Sequence, residues 1–100
     1  MRIRSVYTSP LKTKRFRAEV ETKEGIKNID FGLKGAFTYL DGADKTVRDN
    51  YWKRHLGNPV EHRLIRRLIL SPSLLSAYLI WGHSRNVHTN MRALNQLLQA

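Results

Sequence analysis

The hydrophobic period changes partway along the chain, and that change decides the fold class. From Arg15 to Thr22 the residues alternate, with Phe16, Ala18 and Val20 on one side and Arg15, Arg17, Glu19 and Glu21 on the other. A period of two is that of a half-buried β-strand. Lys23-Glu24-Gly25 supplies a turn with a glycine suited to positive φ, and Ile26 to Phe31 reads as the returning strand. Beyond Asp44 the apolar residues fall at helical spacing. Strands followed by helices predict an α+β domain with a β-hairpin and about four helices. Residues 1–14 show no clear period, and Pro10 with Thr8-Ser9 suggests a basic extended arm or an edge strand ahead of a single small domain at 15–100.

Helix boundaries are written in capping residues. Asp44 can cap a helix that runs to about Leu56, where Gly57 ends it. Ala43, Val47 and Tyr51 share one face of that helix, with Leu40 entering below. Asn58-Pro59-Val60-Glu61 combines an N-cap, a proline at the first helical position and a capping-box acid. The helix it starts carries Val60, Leu64 and Leu68 as an apolar stripe, with Arg63, Arg66 and Arg67 clustered on another face. Ser71-Pro72 repeats the signal ahead of a nearly all-apolar core helix, Ser73 to Trp81. Gly82-His83-Ser84 is then a short turn with Ser84 as a cap, and the last helix has Val87, Met91, Leu94 and Leu98 on one side. Arg85, His88, Thr89, Arg92, Asn95 and Gln99 lie opposite. The expected core is Leu40, Val47, Tyr51, Leu64, Leu68, Leu75, Tyr78, Leu79, Trp81, Val87, Met91 and Leu94.

Charge is distributed as unevenly as period. All eight acidic residues lie between Glu19 and Glu61, although the chain carries a net charge of +10. Residues 1–18 hold Arg2, Arg4, Lys12, Lys14, Arg15 and Arg17, and residues 62–100 hold Arg63, Arg66, Arg67, Arg85 and Arg92, with no acid in either block. Acid-free cationic blocks suit an anionic partner, whereas a solvated helix face is the plainer account of the arginine triplet. An apolar helix, a short turn and an amphipathic helix rich in Arg, Asn, Thr and His fit the outline of a C-terminal helix-turn-helix. Two antiparallel packed helices give the same pattern.

Other chemistry finds little support. There is no cysteine, which excludes disulfides and thiolate sites. His55, His62, His83 and His88 lack the spacing of metal ligands, so no metal or cofactor is expected. No P-loop, dinucleotide fingerprint or nucleophile elbow occurs, so no catalytic residues are expected. Glu19, Glu21 and Asp30 could converge on the hairpin, but charged outer faces explain them more simply. Gly32-Leu33-Lys34-Gly35 has the GxxG spacing of a phosphate-approaching loop, yet it leaves a strand and reads as a plain turn. No run reaches the ~18 apolar residues of a membrane span, and no secretory signal is visible.

The segment from Phe16 to Leu98 resembles an uncharacterised family of small basic proteins of large nucleocytoplasmic DNA viruses. The resemblance runs through Asp30-Phe31-Gly32, Gly35, Tyr39 and Asp44, is best at Tyr51-Trp52-Lys53-Arg54-His55, and resumes at Leu75 to Trp81. The chain departs from it at Thr38, Gly42 and Ala77, where the family often has Asp, His and a basic residue. The resemblance implies a viral origin, with a place in the infected cell (nucleus or viral factory) or in the virion, and supplies no activity.

Together these readings lead us to expect a non-enzymatic protein that binds nucleic acid, duplex DNA foremost. Its phosphate contacts would be Arg15, Arg17, Arg63, Arg66, Arg67, Arg85, His88, Thr89 and Arg92. The alternative is a virion structural component, a minor capsid or cementing protein whose basic surfaces meet acidic neighbours, with oligomerisation open to either.

Overall fold

The computed structural model describes residues 1–99 as an antiparallel sheet followed by four helices, the α+β arrangement read from the change of period. The strands are β1 (Arg2–Thr8), β2 (Lys14–Thr22) and β3 (Gly25–Leu33), in the order β1-β2-β3. The β2–β3 hairpin pairs Phe16 with Phe31, Ala18 with Ile29 and Val20 with Lys27, and Gly25 turns at φ 113°. Its inner face buries Ala18, Val20 and Phe31, as the alternation requires.

Residues 1–14 are not a free arm. Of the two readings, the edge strand is the one that forms, and it buries Ile3 and Val6 in the core. These two residues are three apart because a bulge between Ile3 and Ser5 inserts Arg4 into the pairing with β2. The bulge also hides the period: without it, Ile3 and Val6 would point to opposite faces.

A 3-10 turn at Tyr39–Asp41 leads into α1 (Lys45–Leu56). The expected apolar face of α1 is corrected here. Val47 is 46% exposed, and the inward side is Arg48, Tyr51, Trp52 and His55. Trp52 Nε1 donates to Trp81 O (2.7 Å) and Arg48 Nε donates to Gly82 O (2.6 Å). Two carbonyls at a helix end are thereby satisfied by donors from a neighbouring helix. Tyr51 stacks on Trp81 at 4.7 Å, and His55 Nδ1 lies 2.7 Å from Glu61 Oε2. The block Tyr51–His55 thus fastens α1 to its neighbours.

α2 (Pro59–Arg66) begins at the expected N-cap, with Asn58 Oδ1 accepting from the amides of Val60 and Glu61. The expected capping box does not close: the Asn58 amide donates to His55 O, and the Glu61 carboxylate is taken by His55 and Ser73. Its buried residue is Ile65, whereas Val60 is 57% exposed and Leu64 and Leu68 are half-buried. The helix closes in a Schellman motif: Ile69 N donates to Leu64 O (2.9 Å) and Leu68 N to Ile65 O (3.3 Å). Leu68 takes the left-handed conformation (φ 52°) that glycine usually fills there, because its side chain packs against the core.

α3 (Pro72–Leu75) is capped by Ser71 and continues as a π-helical turn through Ser76–Ile80, where Trp81 N donates to Ser76 O. This is the core helix: Leu74, Leu75, Ala77, Leu79 and Ile80 are buried. α4 (Val87–Leu98) buries Leu94 and packs Val87, Met91 and Leu98 against the same core. The connector to α4 spans Trp81–Asn86, and Asn86 rather than Ser84 is the N-cap, its side chain accepting from His88 and Thr89. Asn90, 1% exposed, holds this connector: Nδ2 donates to Leu79 O and Ser84 O, and Oδ1 accepts from Ser84 N.

Candidate nucleic-acid interface

The expected phosphate contacts divide into paired and unpaired cations. Arg15 and Arg17 project from the outer face of β2, where the register sets Arg17 opposite both Tyr7 and Asp30. Arg17 Nε donates to Asp30 Oδ1 (3.0 Å), and Ser9 Oγ donates to the same oxygen (2.6 Å). The Arg17 guanidinium and the Ser9 hydroxyl hold the Asp30 carboxyl below its ordinary range. Arg15 makes a two-pronged contact with Asp41, both bonds 2.7 Å, and also donates to Thr38 Oγ1. Asp41 in turn accepts from the Thr38 amide and hydroxyl. The Arg15 guanidinium, with Thr38, keeps the Asp41 carboxyl well below the usual carboxylate range.

The rest of this face is neutralised in the same way. Arg2 and Arg4 stand 3.8 and 3.6 Å from Glu21, and Ser5 Oγ donates to Glu19. Glu19, Glu21 and Asp30 therefore serve the sheet's outer face and do not gather. Among the described residues, no group of three metal-binding side chains occurs.

Arg85 is engaged by an aromatic ring. Its guanidinium lies 4.1 Å from the centre of the Tyr39 ring and donates to Tyr39 O (2.8 Å). On α4, His88 and Arg92 are exposed one turn apart, and Arg92 donates to the half-buried Thr89 hydroxyl (3.2 Å). Asn95, expected on this outward side, is turned instead toward β1.

Arg63, Arg66 and Arg67 differ from all of these. The triplet is exposed, and no salt bridge reaches it among the described residues. With Pro59 and His62 they line a shallow concavity of about 250 Å³. Glu61, the last acid in the chain, faces away from them toward His55 and Ser73. Arginines at the C-terminal end of α2 also complement the helix dipole. The turn at Gly32 to Gly35, in contrast, is structural. A Cβ on Gly32 would stand 2.7 Å from Ile80 Cδ1, and both glycines have positive φ (79° and 89°). No described helix is long and apolar enough to cross a membrane.

Residues 4–55 match the model of a family described only as a family of unknown function, DUF5754, and the chain belongs to that family. The matched segment takes in the sheet from Arg4 onward and α1 as far as His55, and stops short of the α2 arginines. No curated protein and no solved structure matches the chain.

Proposed function

We propose that this protein is a non-enzymatic nucleic-acid-binding protein that holds duplex DNA by its phosphates. The observation that carries the reading is the Arg63, Arg66 and Arg67 cluster around its concavity, with no carboxylate beside it. Guanidinium groups free of acids are available to phosphate oxygens, whereas Arg15 and Arg17 would first have to abandon Asp41 and Asp30. The supporting contacts are His88 and Arg92 on the exposed side of α4. That strip has no Phe, Tyr or Trp on which an unstacked base could lie, which favours duplex over single strand. The viral setting rests on the resemblance of Phe16 to Leu98.

The test is fluorescence anisotropy with duplex DNA across a salt series. Sub-micromolar binding near ~0.15 M salt with a steep logarithmic slope is expected. Reversing Arg63, Arg66 and Arg67 to Glu should abolish it while leaving the melting temperature in place. Binding that vanishes by ~0.15 M salt would reduce the attraction to generic charge and defeat the reading.

A second reading, a minor capsid or cementing protein of a virus particle, draws on a different observation. Leu33 and Phe37, at one end of the sheet, are 65% and 68% exposed. Large apolar side chains left this exposed only four positions apart in the chain suit a protein neighbour. The N-terminal segment would not thread between subunits in such a role, because Ile3 and Val6 belong to the core.

A further inference from the structure

A second concavity, sharing no residue with the α2 cluster, opens between α1, the π-helical turn and α4. Its volume is about 570 Å³, within the range of small-molecule sites, and far larger than one water requires. Trp52 and Tyr78 meet edge to face in its wall, at 5.2 Å and 85°, and Ala93 and Leu97 supply the wall from α4. The Trp52 N–H is already committed to Trp81 O, so Trp52 offers the cleft only apolar surface.

Several of the polar side chains around that surface are unspent, although Asn90 and the Arg48 Nε are committed within the protein. Among the described residues, the Tyr78 hydroxyl, the Gln96 amide and the His83 imidazole have no hydrogen-bond partner, though all three line the cleft. Asp49 has a single long contact, 3.5 Å from Arg48 Nη1. A carboxylate can only accept, so it calls for a donor on the occupant. Arg48 beside it balances its formal charge, so the lining offers no unpaired arginine or lysine for a phosphate. These features together describe the recognition of a flat, uncharged ring with hydrogen-bonding edges.

We propose that this cleft binds a free heteroaromatic ring of the nucleobase class that bears an amino group. The ring packs on Trp52 and Tyr78, its amino group donates to Asp49, and its remaining edge meets Gln96 and the Tyr78 hydroxyl. A base inside a duplex is stacked and out of reach, so the occupant is a separate small molecule. The proposal does not rest on DNA binding by α2.

The experiment is an amide and indole NMR titration of the whole chain with adenosine and with cytidine. Caffeine, a flat heteroaromatic with no N–H donor, is the comparison. Expected are shifts at the Trp52 indole, the Gln96 side-chain amide and Ala93, with binding in the range of about 1 mM or tighter. Asp49→Asn should weaken binding about tenfold, the size of one hydrogen bond to a charged group. Ala93→Phe should fill the cleft and abolish binding. Leu97→Glu, at a position 45% exposed, removes apolar wall without threatening the fold and should also weaken it. Absence of nucleoside shifts up to about 5 mM would overturn the proposal. So would caffeine shifting the same signals as strongly, because stacking alone would then account for them. Duplex DNA binding is measured separately, and a phosphate-free nucleoside leaves it untouched.

Discussion

Asn95 and Ile3, 92 positions apart in sequence, exchange two hydrogen bonds: Ile3 N donates to Asn95 Oδ1 (2.8 Å) and Asn95 Nδ2 donates to Ile3 O (2.9 Å). One side-chain amide on α4 thus behaves as a neighbouring strand would toward the outer edge of β1. It does so beside the bulge at Arg4, where β1 departs from regular pairing with β2. An edge strand with open backbone groups is prone to fraying and to pairing with other chains, and this amide closes part of that edge. Asn95→Ala should therefore destabilise the domain by about 2 kcal/mol, the scale of removing two partly buried hydrogen bonds and leaving their backbone partners unmet. Urea denaturation measures it, and the Ile3 amide should lose its protection from hydrogen exchange. An unchanged denaturation midpoint would mean that β1 is held by its apolar residues alone.

The division between paired and unpaired arginines predicts two kinds of mutant. Replacing Arg63, Arg66 and Arg67 by Gln should weaken DNA binding and lower the salt slope by roughly 0.9 for each phosphate that is no longer neutralised. Stability should stay within about 0.5 kcal/mol, because no partner is abandoned. Arg15→Gln and Arg17→Gln should do the reverse. Asp41 and Asp30 would lose the guanidinium that each accepts from, stability would fall, and the salt slope would stay nearly constant. Anisotropy and thermal melts on the same samples separate the classes. A common loss of DNA affinity in both sets would merge them.

Gly82 is the most tightly enclosed of the glycines. A Cβ there would collide with Tyr78 O, a backbone atom, and with the Asn90 side chain, which is held by its hydrogen bonds to Leu79 O and Ser84 O. Gly82 O is also the acceptor for Arg48. Gly82→Ala should cost about 3 kcal/mol or more, since neither the backbone carbonyl nor the buried amide can move aside cheaply. Circular dichroism melts give the answer, with Gly57→Ala as the milder comparison: its Cβ would meet only Arg54 O at 3.3 Å and Lys53 O at 3.4 Å.

What could be read from the sequence follows a physical line. The β2–β3 hairpin was legible because Phe16, Ala18 and Val20 alternate without interruption. The caps at Asn58 and Ser71 were legible because capping is local. β1 was legible only as one of two readings, arm or edge strand, because a one-residue bulge put Ile3 and Val6 on the same face at the wrong spacing. The inward face of α1 escaped because it is built from Arg48, Trp52 and His55, whose polar tips satisfy distant carbonyls and a carboxylate. Hydropathy sees those residues as surface. Asn95 misled for the same reason: an amide that replaces missing backbone partners looks, in sequence, like one that could read a base edge. The arginine triplet was visible as a charge pattern, but its freedom from carboxylates depended on where Glu61 points, which only the fold decides.

The Arg15–Asp41 pair makes stability depend on pH in a definite direction. Folding lowers the Asp41 carboxyl well below its ordinary value, chiefly through the Arg15 guanidinium and then through Thr38. Asp30 is lowered in the same sense by Arg17 and Ser9. A carboxylate depressed by folding contributes stability that is fully present above its unfolded pKa, about 4. That contribution is lost as pH falls through the folded value. The domain should therefore hold a level denaturation midpoint from neutral pH down to about 5 and lose stability progressively below about 4. Asp41→Asn keeps the shape of the side chain and removes its charge. It should be less stable than the parent at pH 7, and the gap should narrow as pH falls below about 4, the unfolded value, toward the depressed folded value of Asp41. Guanidinium chloride would screen the very charges in question, so urea is the denaturant to use. A gap between parent and Asp41→Asn that stayed constant across that range would show that the pair acts through hydrogen-bond geometry and not through charge.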